Sequence, residues 1–157
     1  MNNEMRMEDM CPLIREAIKD NGQFILHPKG TSMLPTIKPI VDSIVLVEFD
    51  NLEKYDIILY KRNNETFVVH RIMGIKNGQY ILCGDNQFEL EYGILPEQII
   101  AKVSQIRKSN GSVLCEEDIR AGFVNFKLNI RRLYMRLVFR TKQFLYPAYK
   151  FIFKRGK

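Results

Sequence analysis

A hydroxyl placed for chemistry stands in the run Lys29-Gly30-Thr31-Ser32-Met33-Leu34-Pro35-Thr36. Gly30 permits tight backbone geometry ahead of Ser32, and Pro35 fixes the exit behind it. A serine is no nucleophile at neutral pH. It needs a base within hydrogen-bond reach and donors for the oxyanion that forms when it attacks a carbonyl. Taken alone, a serine in such a turn reads more readily as a surface or capping residue, so the rest of the chain decides.

A candidate base is His70, the type of side chain whose proton affinity suits transfer near neutrality. Its partner follows from a turn. Asn77-Gly78 is a strong short-range hairpin signal, because both residues tolerate positive φ. A hairpin there pairs Lys76 with Gln79 and Ile75 with Tyr80. Continued away from the turn, the same register sets His70 opposite Asp85. Opposed residues of an antiparallel pair have Cβ atoms about 4.5–5.5 Å apart on one face. An imidazole beside a carboxylate is the pair a serine nucleophile requires, since the acid fixes the tautomer and stabilises the imidazolium. A β-bulge between turn and pair would shift the register. The plainer alternative is a half-buried strand histidine flanked by Val68 and Ile72, with Asp85 an ordinary cross-strand neighbour.

Other candidates have plainer readings. His27, next to Pro28, reads as a strand-end surface residue. Glu89 and Glu91 read as a solvated acidic loop after Asp85. Arg71 and Lys61 read as solvent-facing strand residues, and Cys83 as a small core residue in an apolar run.

These residues need a scaffold. Residues 5–20 read as a helix with Pro12 near its first turn and Asn21-Gly22 as its stop. Leu13, Ala17, Ile14 and Ile18 are its packed face. Short runs rich in Ile, Val, Phe and Tyr follow at 23–27, 43–49, 56–61, 66–73, 79–83 and 99–106, separated by turn residues. Six or seven strands with no intervening helix predict a mainly β domain: a curled antiparallel sheet or partly open barrel. The expected organisation is an N-terminal helix (1–21), a β domain (22–118) and a basic helical tail (119–157).

At 157 residues, 46% hydrophobic and 27% charged, the chain suits one globular domain with some extra. Cys11, Cys83 and Cys115 have no metal-like spacing, which points to free thiols and neither a disulfide framework nor a metal site. No stretch approaches the ~18 apolar residues of a spanning helix, and residues 1–20 lack the apolar segment of a secretory signal. The net charge of +6 divides sharply. Residues 1–118 hold 13 Lys/Arg against 18 Asp/Glu, net −5, whereas residues 119–157 hold 11 Lys/Arg and no acid, net +11. The front is an ordinary acidic domain and the tail suits an anionic partner.

In the tail, Phe126, Ile130, Leu133, Tyr134, Leu137 and Phe144 fall on one helical face, with Arg131, Arg132, Arg136 and Lys142 off it. Leu128, Met135 and Phe139 lie on the far side, and Pro147 ends or kinks the helix. Three readings stand: a helix packed on the β domain, an interfacial helix on anionic lipid through residues 120–157, and a nucleic-acid surface. The last is disfavoured because no reading motif accompanies the charge.

Several blocks in order resemble one family. Gly30-Thr31-Ser32-Met33-Leu34-Pro35-Thr36, Asp42-Ser43-Ile44-Val45-Leu46-Val47, Tyr55-Asp56-Ile57-Ile58-Leu59-Tyr60, Val69-His70-Arg71-Ile72 and Gly84-Asp85-Asn86 resemble the signal peptidase I and repressor-cleaving serine peptidase superfamily, over roughly residues 22–106. A histidine where most bacterial members have lysine is similar to the endoplasmic-reticulum and archaeal branch. The resemblance implies a mostly β peptidase whose serine attacks an extended peptide docked along a strand edge. It implies Ser32 as nucleophile, His70 as general base and Asp85 as supporting acid, with Glu91 at the position of a further acid. It also implies an oxyanion hole from the Ser32 N–H and the Thr31 hydroxyl, Met33 and Pro35 along the substrate, and small side chains before the cleaved bond. No cofactor or metal is implied. Three departures stand out: Gly30 replaces a serine oxyanion donor, Pro39-Ile40-Val41-Asp42 replaces a glycine-aspartate turn, and the usual transmembrane anchor is missing.

The function expected is therefore a serine endopeptidase acting on a signal- or leader-like peptide, in the cytoplasm or on the cytoplasmic membrane face. The alternatives are a regulatory peptidase cutting a repressor-like partner and a non-catalytic peptide- or membrane-binding module on the same fold. No DNA-binding helix-turn-helix precedes the β domain, which weakens the first of these.

Overall fold

The computed structural model describes residues 7–124 and, beyond them, residues 133, 134, 137 and 138. Helix α1 (Met7–Asn21) is followed by β1 (Phe24–Leu26), β2 (Ser43–Val47), β3 (Ile57–Lys61), β4 (Phe67–Lys76), β5 (Gln79–Cys83) and β6 (Glu91–Ile94). A 3-10 turn at Pro96–Gln98 leads into β7 (Ile99–Arg107), β8 (Val113–Leu114) and helix α2 (Glu116–Val124). The eight strands form one antiparallel sheet, not closed, in the order β1-β2-β7-β3-β4-β5-β6, with β8 also paired to β7. All six expected strands are present within a few residues. The sequence reading missed β6 and β8, both short and weakly apolar.

The sheet carries apolar side chains on both faces. One cluster joins Ile14 and Ile18 of α1 to Met33, Ile37, Ile44, Leu59, Val103 and Ile119. The other gathers Ile58, Tyr60, Ile72, Leu82 and Ile99. Period-two alternation sorts β4 between them: Phe67 and Val69 face the first cluster, Val68 and Ile72 the second.

The hairpin between β4 and β5 forms as its turn residues demand. Asn77 and Gly78 have φ of 52° and 73°, the left-handed pair of a type I′ turn. Lys76 pairs with Gln79 and Ile75 with Tyr80. Beyond Gly74 the register slips, because Gly74 pairs with Ile81 but Ile72 pairs with Leu82, leaving Met73 as a bulged residue. One extra residue on β4 turns Arg71, not Ile72, toward Cys83.

Helix α2 crosses the boundary expected at residue 118. Ile119 is buried in the first cluster, and Arg120 binds Asp56 at 2.7 Å and Glu53 at 2.6 Å. The remainder of the expected tail helix, apart from residues 133, 134, 137 and 138, lies outside the described residues. Among the described residues, no helix is long and apolar enough to cross a membrane. Cys11, Cys83 and Cys115 are free.

Candidate active site

Ser32 lies in the loop between β1 and β2, and that loop is tied at three points. The Ile40 N–H donates to the Pro28 carbonyl at 2.8 Å, closing the base. Asp42, buried at the end of the loop, accepts from the Lys38 N–H at 2.8 Å, the Ser109 N–H at 3.1 Å and Lys108 Nζ at 3.0 Å. Burial alone would raise the Asp42 pKa, but these donors outweigh it and hold the carboxyl below its usual range. Lys108 also donates to the Thr36 carbonyl, so one ammonium ties the segment after Ser32 to the end of β7.

The third tie comes from Gly84-Asp85-Asn86. The Asn86 N–H donates to the Ser32 carbonyl at 2.7 Å, and Asn86 Nδ2 to the Thr31 carbonyl at 3.2 Å. Gly84 makes that approach possible. A Cβ there would stand 2.6 Å from the Ser32 carbonyl oxygen and 3.0 Å from Ser32 Cβ. Continued one step, the β4–β5 register sets this glycine across from His70. Ser32 and His70 line one cavity of about 430 Å³. Among the described residues, neither the hydroxyl nor the N–H of Ser32 has a hydrogen-bond partner. The Thr31 hydroxyl is likewise without one, on an exposed residue. Met33 is buried under the loop, whereas Pro35 is exposed on its outer side.

The expected pairing of His70 with Asp85 does not form. The Met73 bulge shifts the register, and Asp85 is bound instead by Arg71, whose Nε donates to Oδ1 at 2.9 Å and Nη2 to Oδ2 at 2.7 Å. Arg71 is therefore not a solvent-facing strand residue. It is fully buried, and its Nη1 donates to the carbonyls of Tyr55 at 2.8 Å and Ile119 at 2.9 Å. The Thr36 hydroxyl completes the set on Asp85 Oδ2. A bidentate pair in the interior fixes geometry more firmly than a surface pair can. Here it locks the Gly84–Asn86 loop that holds Ser32.

The carboxylate at His70 belongs to Glu91. Its Oε1 is 3.0 Å from His70 Nδ1, with the Tyr60 hydroxyl 3.3 Å from the same nitrogen. Glu91 is no solvated loop residue: it opens β6 and is half-buried. It accepts from Tyr60 at 2.8 Å and from Arg62 Nε at 2.8 Å. Burial would raise the Glu91 pKa, but the bonds from Arg62 and Tyr60 outweigh it and hold the carboxyl low. Tyr60 itself is pushed upward, by burial and then by Glu91, so its phenol stays protonated.

His70 is 1% exposed. Burial pushes its pKa from 6.5 down to about 4, against the opposing pull of Glu91. The ring is neutral at physiological pH. With Nδ1–H donated to Glu91, Nε2 carries the free lone pair, which is the form a general base needs.

The sequence reading missed Tyr60, Arg62 and Arg71. Gly74 inside a strand pattern was the available signal for the bulge. Nothing local marked Arg71, whose partners come from α2 and from the loop after β5. His27 is exposed at the cavity rim, and Cys83 is a buried core residue whose thiol donates to the Glu89 carbonyl at 3.0 Å. Among the described residues, no group of three or more His, Cys, Asp or Glu side chains is placed to hold a metal ion.

No protein-family model matches the chain, and no curated protein matches it.

Proposed function

We propose that the protein is a serine endopeptidase with a signal-peptidase-like fold, cutting an extended peptide at the Ser32 cavity. The observation that carries this reading is that Ser32 and a neutral His70 line one cavity, with Glu91 on the far nitrogen of the imidazole. In the reaction, His70 Nε2 takes the Ser32 proton as Oγ bonds to the scissile carbonyl carbon. The oxyanion is held by the Ser32 N–H and the Thr31 hydroxyl. The C–N bond then breaks as His70 returns the proton to the leaving amine, and water hydrolyses the acyl-serine by the same route. Glu91 replaces Asp85 as the orienting acid. Asp85 and Arg71 support the loop that presents Ser32.

The substrate docks as an added strand. Residues 67–69 of β4 pair with β3 but lie beyond the last β5 pair. The cavity runs from them to residues 26–30. A strand segment beyond the last β5 pair and beside that cavity suits β-augmentation by a peptide.

The basic tail is proposed to rest on anionic lipid at the cytoplasmic membrane face. Leu133, Tyr134 and Leu137 are helical yet 58%, 67% and 54% exposed, which favours an external apolar partner over packing on the sheet. Liposome flotation tests this: truncation after residue 124 is expected to abolish binding to anionic vesicles, and unchanged flotation rejects it.

For the enzyme, an alkyl fluorophosphonate is expected to label Ser32. Ser32→Ala and His70→Ala are each expected to abolish peptide cleavage with the fold intact. A fully active Ser32→Ala protein ends the assignment, and an unlabelled wild-type serine favours a non-catalytic binder.

A further inference from the structure

Arg71 has acceptors on two sides. Its Nε and Nη2 hold the Asp85 carboxylate, whereas Nη1 donates to the Tyr55 carbonyl at 2.8 Å and the Ile119 carbonyl at 2.9 Å. Each of these carbonyls is followed in sequence by a charged side chain, and the two side chains meet: Arg120 Nε donates to Asp56 Oδ1 at 2.7 Å. Tyr55-Asp56 and Ile119-Arg120 therefore form a clamp that closes behind the guanidinium. Arg120 also donates to Glu53 at 2.6 Å and to Glu116 at 3.3 Å, which holds the first turns of α2 against the loop before β3. On the sheet side of the clamp, Tyr55 has φ of 80°, an outlying conformation for an aromatic residue. Two bonds of 2.8 Å keep it there, from the Tyr55 N–H to the Ile72 carbonyl and from the Ile72 N–H to the Asp56 carbonyl. Such strain persists only where the surroundings over-determine it, and it clusters at functional sites.

A guanidinium is planar and carries its donors in a fixed fork. A tilt imposed at Nη1 is therefore passed to the Nε–Nη2 edge and so to Asp85. Arg71 and Asp85 are 0% and 2% exposed, so the dense interior around them absorbs little of that motion. Asp85 reaches the Ser32 loop twice. Its Oδ2 accepts from the Thr36 hydroxyl, and the next residue, Asn86, donates its N–H to the Ser32 carbonyl at 2.7 Å. We propose that Arg120 is a positioning residue for the catalytic serine, and that docking of α2 sets the Ser32 loop for attack. Arg120 is not among the residues that line the Ser32 cavity; it acts through Asp56, Arg71 and Asp85. With the clamp shut the serine is held in place, and with α2 lifted the loop relaxes.

This inference rests on the peptidase reading and names what regulates that site, and the test separates the two. Full-length wild type, Arg120→Ala and Val45→Ala are compared at a temperature where all are folded. Val45 is buried in β2 outside this chain of bonds, so its truncation lowers stability without opening the clamp. Saturation labelling of Ser32 by an alkyl fluorophosphonate reads the chemistry, and hydrogen exchange at the Asn86 N–H reads the coupling without chemistry. Arg120→Ala is expected to lower the maximal labelling rate by at least about 10-fold, within the ~10² that a 1 Å misplacement costs. The probe concentration at half-saturation stays in place, and Asn86 exchanges faster. Val45→Ala is expected to change neither the rate nor the exchange. Should Arg120→Ala fold poorly, Glu53→Gln loosens the same clamp from its exposed side and is expected to move both readouts in the same direction. Parental labelling and exchange in the clamp variant, or equal losses in Val45→Ala, overturn the inference and leave the peptidase standing. A folded wild type that the probe does not label overturns the peptidase reading, and Asn86 exchange still decides whether α2 holds the loop.

Discussion

His70 Nδ1 and Glu91 Oε1 lie 3.0 Å apart although their strands, β4 and β6, are separated in the sheet by β5. Glu91 reaches the imidazole past the end of β5, whose ladder to β4 stops at Arg71 and Cys83. That contact orders the His70 ring and, in the proposed reaction, places a negative charge where the imidazolium forms. Glu91→Gln is expected to lower kcat by on the order of 10²–10⁴. Glu91 opposes the fall in the His70 pKa, so the acid limb of kcat/KM, expected at about pH 4 in the parent, moves lower in the variant. A pH–rate profile measures both, and an unchanged kcat assigns the orienting role elsewhere.

Asp85 is expected to behave differently. Its partner Arg71 is fully buried, so Asp85→Asn leaves a guanidinium short of its counter-charge, a loss of about 3–5 kcal/mol for a broken buried pair. Denaturant midpoints should show that loss, while the acid limb of the pH profile moves lower by less than in Glu91→Gln, because Asp85 raises the His70 pKa less than Glu91 does. An Asp85→Asn protein of parental stability contradicts the pairing.

Gly84 sets the distance between the two halves of the site. In Gly84→Ala the new Cβ meets the Ser32 carbonyl oxygen at 2.6 Å and Gln87 Oε1 at 2.9 Å. The Gln87 side chain can swing away, but the backbone oxygen cannot. Displacement of Ser32 by about 1 Å is worth about 10² in rate, and the overpacking costs about 1–3 kcal/mol. Fluorophosphonate labelling rates and thermal melts read the two effects, and parental labelling excludes the close packing.

Gly30 is the opposite case. Nothing lies within 4 Å of a Cβ built there, so Gly30→Ser fits without displacing its neighbours. If the oxyanion is held at this loop, the added hydroxyl supplies a donor. The expected result is a rise in kcat of roughly 10–10²-fold with little change in KM, below the 10²–10³ that one established donor is worth. A rise confined to KM counts against that geometry.

Acid stability follows from His70. The unfolded chain takes up a proton near pH 6.5, whereas the folded chain stays neutral down to about pH 4. Between those values the unfolded state binds more protons, so stability falls as pH drops, by up to about 3 kcal/mol. Glu91, held low by Arg62 and Tyr60, adds a further loss below its ordinary 4.5. Urea midpoints taken across this window should fall for the parent and flatten above pH 4.5 in His70→Gln; parallel curves refute the assignment.

Local chemistry alone determined much of this protein. The Asn77-Gly78 turn, the helix before Asn21, the six strands and their alternation follow from φ preferences, β-branched runs and period two, which need only near neighbours in the chain. The Ser32 loop and the His70 strand were legible as candidates for the same reason. Tertiary structure decided which carboxylate meets the imidazole. One bulged residue at Met73 moved Asp85 away from His70, because a register changes by whole residues and each step exchanges the partners of every position beyond it. It also turned Arg71 from a surface residue into a buried anchor, since its partners, Asp85 and Ile119, arrive from a loop and a helix remote in sequence. Long side chains such as Glu91 reach across strands that period-two reasoning treats as separate. Only the assembled sheet and the packed helix could show where those reaches end.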